Sequence, residues 1–563
     1  MNNESYIRYL NSLHNVDAKN ENAIAEASQN NPYFKDVMVK RPIVDFITNC
    51  LMNEEPHIIL ITGHAGDGKT SVLIQALDEL QALQGPLNIS DEVKLVNGNQ
   101  CVYIKDFSEF SADERRSKLK ECFVQTQNGK HVVLVANTGP LLNTFLEEMG
   151  VQSQMTLINA IDENKGDIIA INNCKIRAVN IAGIDNSSFA IPFLKNLVSE
   201  KCFEKCKECK KSRCCPILFN RNMILENESK IFDFLHNHFI WQQEHGKRLT
   251  IRQIIAQITF ALTAGLDCKD VKIIDNKSYL FKHLFSNALF GYNGFDINQK
   301  ASSIQAIEDI QTNGYDRKCL ISDEDLFIRQ DITALHPGIQ ELILDMKNHY
   351  SCVNSIKWNQ ALRRMYILFN IETNDIKNAE TTKTVFSKKF PRYLELRNGK
   401  SPNNDDKVLI MEAFSILFVG YICKNIKELP ITLNRGNGIS QSVQLLLGEI
   451  SNKYINLKTI DTGSNLFEKD QKKQLFIEAF GYRINQPISL PLLNYFEEIR
   501  SGAISTDISP QLTHGIDSIK AQMISLCREN QDSESIELLV METKGYGNIK
   551  LQETDGEWTL LNY

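Results

Sequence analysis

The chain has 563 residues, 42% of them apolar and 23% charged. That balance excludes a mostly disordered polypeptide, and the length is too great for a single hydrophobic core. Lys and Arg total 62 against 69 Asp and Glu, a net charge of −7, so any nucleic-acid surface has to be a local patch.

Residues 1–55 read as a helical lead-in that ends in Arg-Pro-Ile-Val-Asp-Phe-Ile over 41–47. The first twenty residues have no signal-peptide core, and no apolar run reaches the roughly 18 residues of a membrane span. A cytoplasmic protein with no membrane partner is therefore expected. Four strand-like runs follow, at 58–62, 101–105, 131–136 and 176–181, with amphipathic stretches between them. Strands alternating with helices predict an α/β domain over 56–198 with a mainly parallel sheet. Cysteines crowd residues 199–222. Residues 223–350 lose the strand signals and read as a helical lid, for example over 251–262. The remainder, 351–563, is expected to be a mixed α+β partner-binding domain, with a polar break at 398–407 and β-like pieces at 536–541 and 548–551.

The strongest motif is Gly63-His64-Ala65-Gly66-Asp67-Gly68-Lys69-Thr70, followed by Ser71. It matches G-x-x-x-x-G-K-[ST] between an apolar strand and an apolar-periodic helix over 71–83. The glycines let the backbone approach a polyphosphate, and the loop N–H groups and helix N-terminus attract the anion. Lys69 then reaches the β- and γ-phosphates of ATP, and the Thr70 hydroxyl ligates Mg²⁺.

Hydrolysis needs an acid beside the metal and a group that orients water. Asp106 ends the second strand and is read as the Mg²⁺-side acid, with Glu109 as the water-polarising base. The competing reading makes Asp-Phe-Ser-Glu at 106–109 the cap of a helix over 112–123. Asn137 closes the next strand, either as a γ-phosphate sensor or as a turn residue. Thr250 is a credible N-cap, which puts Arg252 in the first helical turn, where the dipole disfavours a cation. It reads either as a sensor arginine or as a solvated surface group.

Five of the 14 cysteines, Cys202, Cys206, Cys209, Cys214 and Cys215, lie within fourteen residues. Such a cluster suits one tetrahedral Zn²⁺ in a reducing compartment. The ligand set is read as Cys202, Cys206, Cys209 and Cys215, the last preferred over Cys214 because Pro216 fixes its backbone. The segment also carries seven cations, from Lys201 to Arg221, against Glu204 and Glu208. That patch suits a DNA backbone, or is a solvated loop held by zinc. The C-x3-C-x2-C spacing also occurs in radical-SAM iron–sulfur proteins, but no barrel-like alternation follows it here.

In order, Arg41-Pro42-Ile43, the glycine-rich loop, Lys105-Asp106-Phe107-Ser108-Glu109, Val135-Ala136-Asn137-Thr138-Gly139, a strand ending near Asn180, Cys215-Pro216-Ile217 and Leu249-Thr250-Ile251-Arg252-Gln253 resemble the DptF family. These are P-loop ATPases of DNA phosphorothioation-dependent restriction, a bacterial anti-phage system. The resemblance covers roughly residues 38–330, with Thr70 in place of the usual Ser, and residues 331–563 show none. It implies an AAA+/STAND-like P-loop NTPase with Lys69 and Thr70 at the nucleotide and Asp106 and Glu109 as the acidic element. It further implies a cytoplasmic ATPase subunit that works on DNA with other proteins. The sequence shows no clustered acidic–lysine cutting motif, so any cutting is expected of a nuclease or helicase-like partner. A homo-oligomer would draw an arginine from its neighbour, with Arg115, Arg116 and Arg317 as candidates. The alternative expectation is a non-hydrolysing, nucleotide-dependent scaffold.

Overall fold

The computed structural model describes residues 3–14, 31–83, 85, 87–271, 277–349, 355–372, 374–420, 427–433, 442–461, 473–503, 508–528, 535–542, 545–554 and 556–561. Parts of the expected helical lead-in, residues 1–2 and 15–30, lie outside them. The chain forms two compact units, Met1–Thr381 and Thr382–Gly463 with Asp470–Tyr563.

The first unit is built on a six-stranded mixed sheet. Its strands are β1 (Ile58–Gly63), β2 (Ser90–Lys94), β3 (Gln100–Ile104), β4 (His131–Asn137), β5 (Ile168–Ile171) and β6 (Cys174–Asn180), in the order β2-β3-β4-β1-β6-β5. The four strands read from sequence pair in parallel at the centre. They read as continuous apolar runs because helices cover both faces. Alternate residues of β1 feed two cores. Ile59 and Ile61 meet Val44, Ile47, Leu73 and Leu77 from helices Pro42–Asn53 and Lys69–Glu79. Ile58 and Leu60 meet Leu119, Phe123, Leu141 and Phe145 from helices Ala112–Gln127 and Thr138–Glu163.

The two outer strands, β2 and β5, run antiparallel and form hairpins with β3 and β6. They depart from the strand–helix alternation expected of the sequence. Both are short and largely solvent-facing, so their residues lack the apolar signature of the central strands. The β5–β6 turn places Asn172 and Asn173 at φ 48° and 61°, the conformation of a type I′ hairpin.

Beyond β6 the unit is helical, apart from the two-residue strands β7 (Tyr292–Asn293) and β8 (Asp296–Ile297). Helix Ile251–Thr263 is buried at nearly every position, and Thr250 caps it with Gln253 in a reciprocal box. The second unit combines an antiparallel five-stranded sheet, a three-stranded sheet and helices such as Asn404–Val419 and Pro510–Arg528. Its strands Ser535–Glu542 and Gly545–Thr554 cover the β-like pieces of the tail. No helix among the described residues is long and apolar enough to cross a membrane.

Candidate functional site

At the C-terminal end of β1 the chain turns through residues 63–68 into helix Lys69–Glu79, which begins two residues earlier and ends four earlier than its periodicity suggests. Gly66 and Gly68 have φ of 85° and 81°, which few other residues adopt. A Cβ at Gly66 would lie 3.2 Å from Thr250 Oγ1 and 3.4 Å from Arg252 Cβ. The turn therefore packs directly under the start of helix Ile251–Thr263, and the Arg252 N–H donates to Gly66 O (3.2 Å).

Asp67 fixes the turn from within. It is fully buried; one carboxylate oxygen accepts from the His64 N–H (3.0 Å) and the other from Arg248 (2.8 Å). Arg248 also donates to the carbonyls of Ile181 and Ile184, and Arg41 donates to Asp67 O (3.0 Å). Sequence reading missed this clamp. Arg41 at least stood inside the recognised Arg-Pro-Ile, whereas nothing local marked Arg248.

Lys69 Nζ donates to Gly63 O (3.2 Å), His64 O (2.8 Å) and Asn137 Oδ1 (2.9 Å). Asn137 reaches it because β4 lies directly beside β1, with Gly63 opposite Asn137 in register. Burial lowers the Lys69 pKa; Asp67 and Asp106 oppose that shift and Arg252 adds to it. The β3 end is tied in by Ser108 Oγ, which accepts the Asn137 N–H (2.7 Å). Asp106 itself sits at φ 52°, ahead of the 3-10 turn Phe107–Glu109. The helix that follows is capped by Ser111 and Glu114, so the capping role weighed for 106–109 belongs to those two residues.

These groups line one cleft of about 550 Å³. Its lining is of two kinds. Gly66, Gly68, Lys69, Thr70, Ser71, Asp106, Glu109, Asn137 and Arg252 form a polar part. Tyr9, Phe34, Val37, Phe189, Phe193 and Ile255 supply an apolar part that sequence reading did not assign. Arg252 is exposed on the rim, and among the described residues its guanidinium makes no hydrogen bond or ion pair.

The cysteine segment folds as short turns, Glu200–Phe203, Glu204–Cys206 and Ser212–Cys214, leading into helix Pro216–Glu226. Cys215 is the N-cap of that helix. Burial raises its thiol pKa, against backbone N–H groups of Leu218 and Ile217 that lower it. Cys206 is pushed up to about 12, by burial first and then by Cys215, Cys268 and Cys209. Cys268, far along the chain, thus belongs to this neighbourhood, and the Lys211 ammonium binds the nearby Val271 carbonyl. Cys202 is instead buried beside Tyr6, with Ser199 Oγ donating to its sulfur (3.3 Å). Among the described residues, no three thiols of this segment, with or without Cys268, come within 4.8 Å of one another.

The basic count of the segment is partly spent internally. Arg221 is buried and donates to Val198 O and Glu200, while Lys201 pairs with Asp36 and Lys207 with Glu200. Lys205, Lys210 and Arg213 remain as exposed cations. No protein-family model matches the chain, and no curated protein aligns with it significantly.

Proposed function

We propose that the chain is a P-loop NTPase of AAA+/STAND-like architecture that binds ATP with Mg²⁺ in this cleft. Its turnover switches a bacterial DNA-restriction or anti-phage assembly. The supporting observation is the convergence of Lys69, Asn137 and the 106–109 turn at the ends of β1, β4 and β3 within one cleft. Crevices outside the carboxyl ends of parallel strands are where such sheets take ligands.

The N–H groups of residues 63–68 and the first turn of helix Lys69–Glu79, with Ser71, receive the phosphates. Lys69 exchanges neutral carbonyls for phosphate oxygens, a gain because ion-to-ion hydrogen bonds are roughly twice as strong as neutral ones. Thr70 and Asp106 hold Mg²⁺, which when bound neutralises charge on the β- and γ-oxygens. Glu109 takes the proton of the attacking water. Asn137 and Arg252 face the γ-phosphate, and Arg252 carries the phosphate state into helix Ile251–Thr263. The apolar part of the cleft covers the nucleoside.

Cys206, Cys209, Cys215 and Cys268 take a Zn²⁺ that closes the knuckle. The exposed Lys205, Lys210 and Arg213 give it a modest DNA-backbone contact. The resemblance to the DptF family supplies the defence setting and the protein partners that act with the chain on DNA.

Calorimetry of the full chain with magnesium–ATP tests the reading. Wild type should bind and turn over ATP. Lys69→Ala should weaken binding at least about tenfold, as expected for a lost charge-assisted contact. Glu109→Gln should keep binding and lose roughly 10²–10⁴-fold in turnover, the usual worth of a general base. Binding with no turnover in wild type identifies the scaffold alternative, and no heat of binding overturns both.

A further inference from the structure

A second cluster lies at the opposite end of the central strands. Helix Pro42–Asn53 stops at Glu54, and the chain turns through Pro56 to His57, which immediately precedes β1. Ligand atoms of Cys50, Glu54 and His57 fall within 4.8 Å of one another, the one such group among the described residues. Cys50 and His57 are buried, at 2% and 1% exposure.

The hydrogen bonds of His57 fix its tautomer. Nδ1 contacts Glu55 O at 2.8 Å, and a carbonyl only accepts, so Nδ1 carries the proton and Nε2 offers a bare lone pair. That Nε2 is buried with no hydrogen-bond partner among the described residues, and Glu54 Oε2 lies 3.8 Å from it. His131 stands beside it at the start of β4, where the Val132 N–H donates to His57 O (3.1 Å). It is 1% exposed, and among the described residues neither ring nitrogen has a partner. Three unpartnered imidazole nitrogens in one buried spot is a costly arrangement, because each has lost its hydration without gaining a partner.

A metal ion removes that cost. An imidazole whose other nitrogen donates to a backbone carbonyl is oriented as metal-bound histidines usually are. The His57 and His131 rings are 5.2 Å apart at 84°. Two imidazoles on one tetrahedral ion, with Zn–N bonds of about 2.0–2.1 Å, leave their ring centres roughly 5 Å apart. Arg177 grips the Glu54 carboxylate with two bonds of 2.9 and 2.7 Å, which orients it and cancels its charge. The cation would then meet one thiolate, two neutral imidazoles and a carboxylate oxygen whose charge Arg177 offsets, a mixed set that suits Zn²⁺ rather than Mg²⁺ or Ca²⁺.

We propose that Cys50, Glu54 and His57 bind one Zn²⁺-class ion, and that His131, whose nitrogens lie outside their 4.8 Å group but whose ring stands 5.2 Å from that of His57, turns in to close the site. It staples the end of helix Pro42–Asn53 to β1 and β4, the two strands whose far ends carry Gly63 and Asn137. The site is independent of the cysteine segment and of nucleotide binding.

The test uses the full chain carrying Cys206→Ser and Cys209→Ser, stripped of metal and titrated with Co²⁺ alone. One equivalent should bind with a tetrahedral visible spectrum and a single-thiolate charge-transfer band. Adding Cys50→Ser should abolish the band, and adding His131→Gln should weaken Co²⁺ binding by at least about tenfold. Because such variants can unfold, the unaltered chain is also loaded with zinc and read by X-ray absorption, where imidazole scattering is expected. Absence of the tetrahedral spectrum, a band that survives Cys50→Ser, or zinc with sulfur ligands only would overturn the proposal.

Discussion

Asp67 and Arg248 show how a single buried charge governs the turn. The carboxylate is fully buried and the guanidinium 23% exposed, 2.8 Å apart. Removing one partner of such a pair leaves an uncompensated ion, which costs more than the pair itself contributes. Arg248→Ala should therefore destabilise the first unit by on the order of 3 kcal/mol, read as a lower denaturant midpoint. Adding Asp67→Asn, which removes the charge but still accepts the His64 N–H, should restore most of the loss. A double variant no more stable than Arg248→Ala alone would show that the pair does not hold the turn. The turn was legible in the sequence because its glycines and lysine answer to local backbone chemistry. Its clamp was not, since Arg248 lies 181 residues from Asp67 and no local periodicity links them.

Among the elements, the cysteine segment sets a local spacing against a distant neighbour. Counting from sequence makes Cys202 a ligand; its sulfur accepts from Ser199 Oγ and lies near Tyr6, while Cys268 stands among the neighbours of Cys206. Cys268→Ser should cost the full chain the same zinc equivalent as Cys206→Ser, whereas Cys202→Ser should keep it; metal analysis after dialysis decides. Loss with Cys202→Ser and retention with Cys268→Ser would restore the spacing argument. The same contrast between local and distant signals runs through the sheet. β1, β3, β4 and β6 were legible because strands covered on both faces must be apolar throughout. The hairpins were missed, although Asn97-Gly98 with Gly98 at φ 90° and Asn172-Asn173 are turn signals that take precedence over the polar composition of β2. Thr250 was legible as a cap, and Ser111 with Glu114 meets the same S/T-x-x-E/Q rule.

At the scale of the molecule, the first unit carries a histidine that ties its stability to pH. His238 is fully buried on helix Glu228–Glu244, among Phe234, Phe239 and Tyr315, and its Nδ1 lies 3.1 Å from Tyr315 Oη. Burial lowers its pKa to about 3. The unfolded chain binds a proton near pH 6.5, the ordinary histidine value, while the folded chain refuses it down to about 3. Its contribution is thus present above pH 6.5 and is lost as pH falls, by about 1.4 kcal/mol per pH unit. His14 and His283, both lowered to about 4 by burial, bend the curve the same way. Between pH 6.5 and 5, carboxylates with ordinary pKa values of about 4 stay ionised, so histidines dominate the slope there. Trp241 and Trp358 lie in the first unit, and their fluorescence follows its unfolding in urea. His238→Gln should flatten the fall in stability across that window by about 1.4 kcal/mol per pH unit, while a slope equal to that of wild type would mean that the folded chain protonates this histidine as readily as the unfolded one.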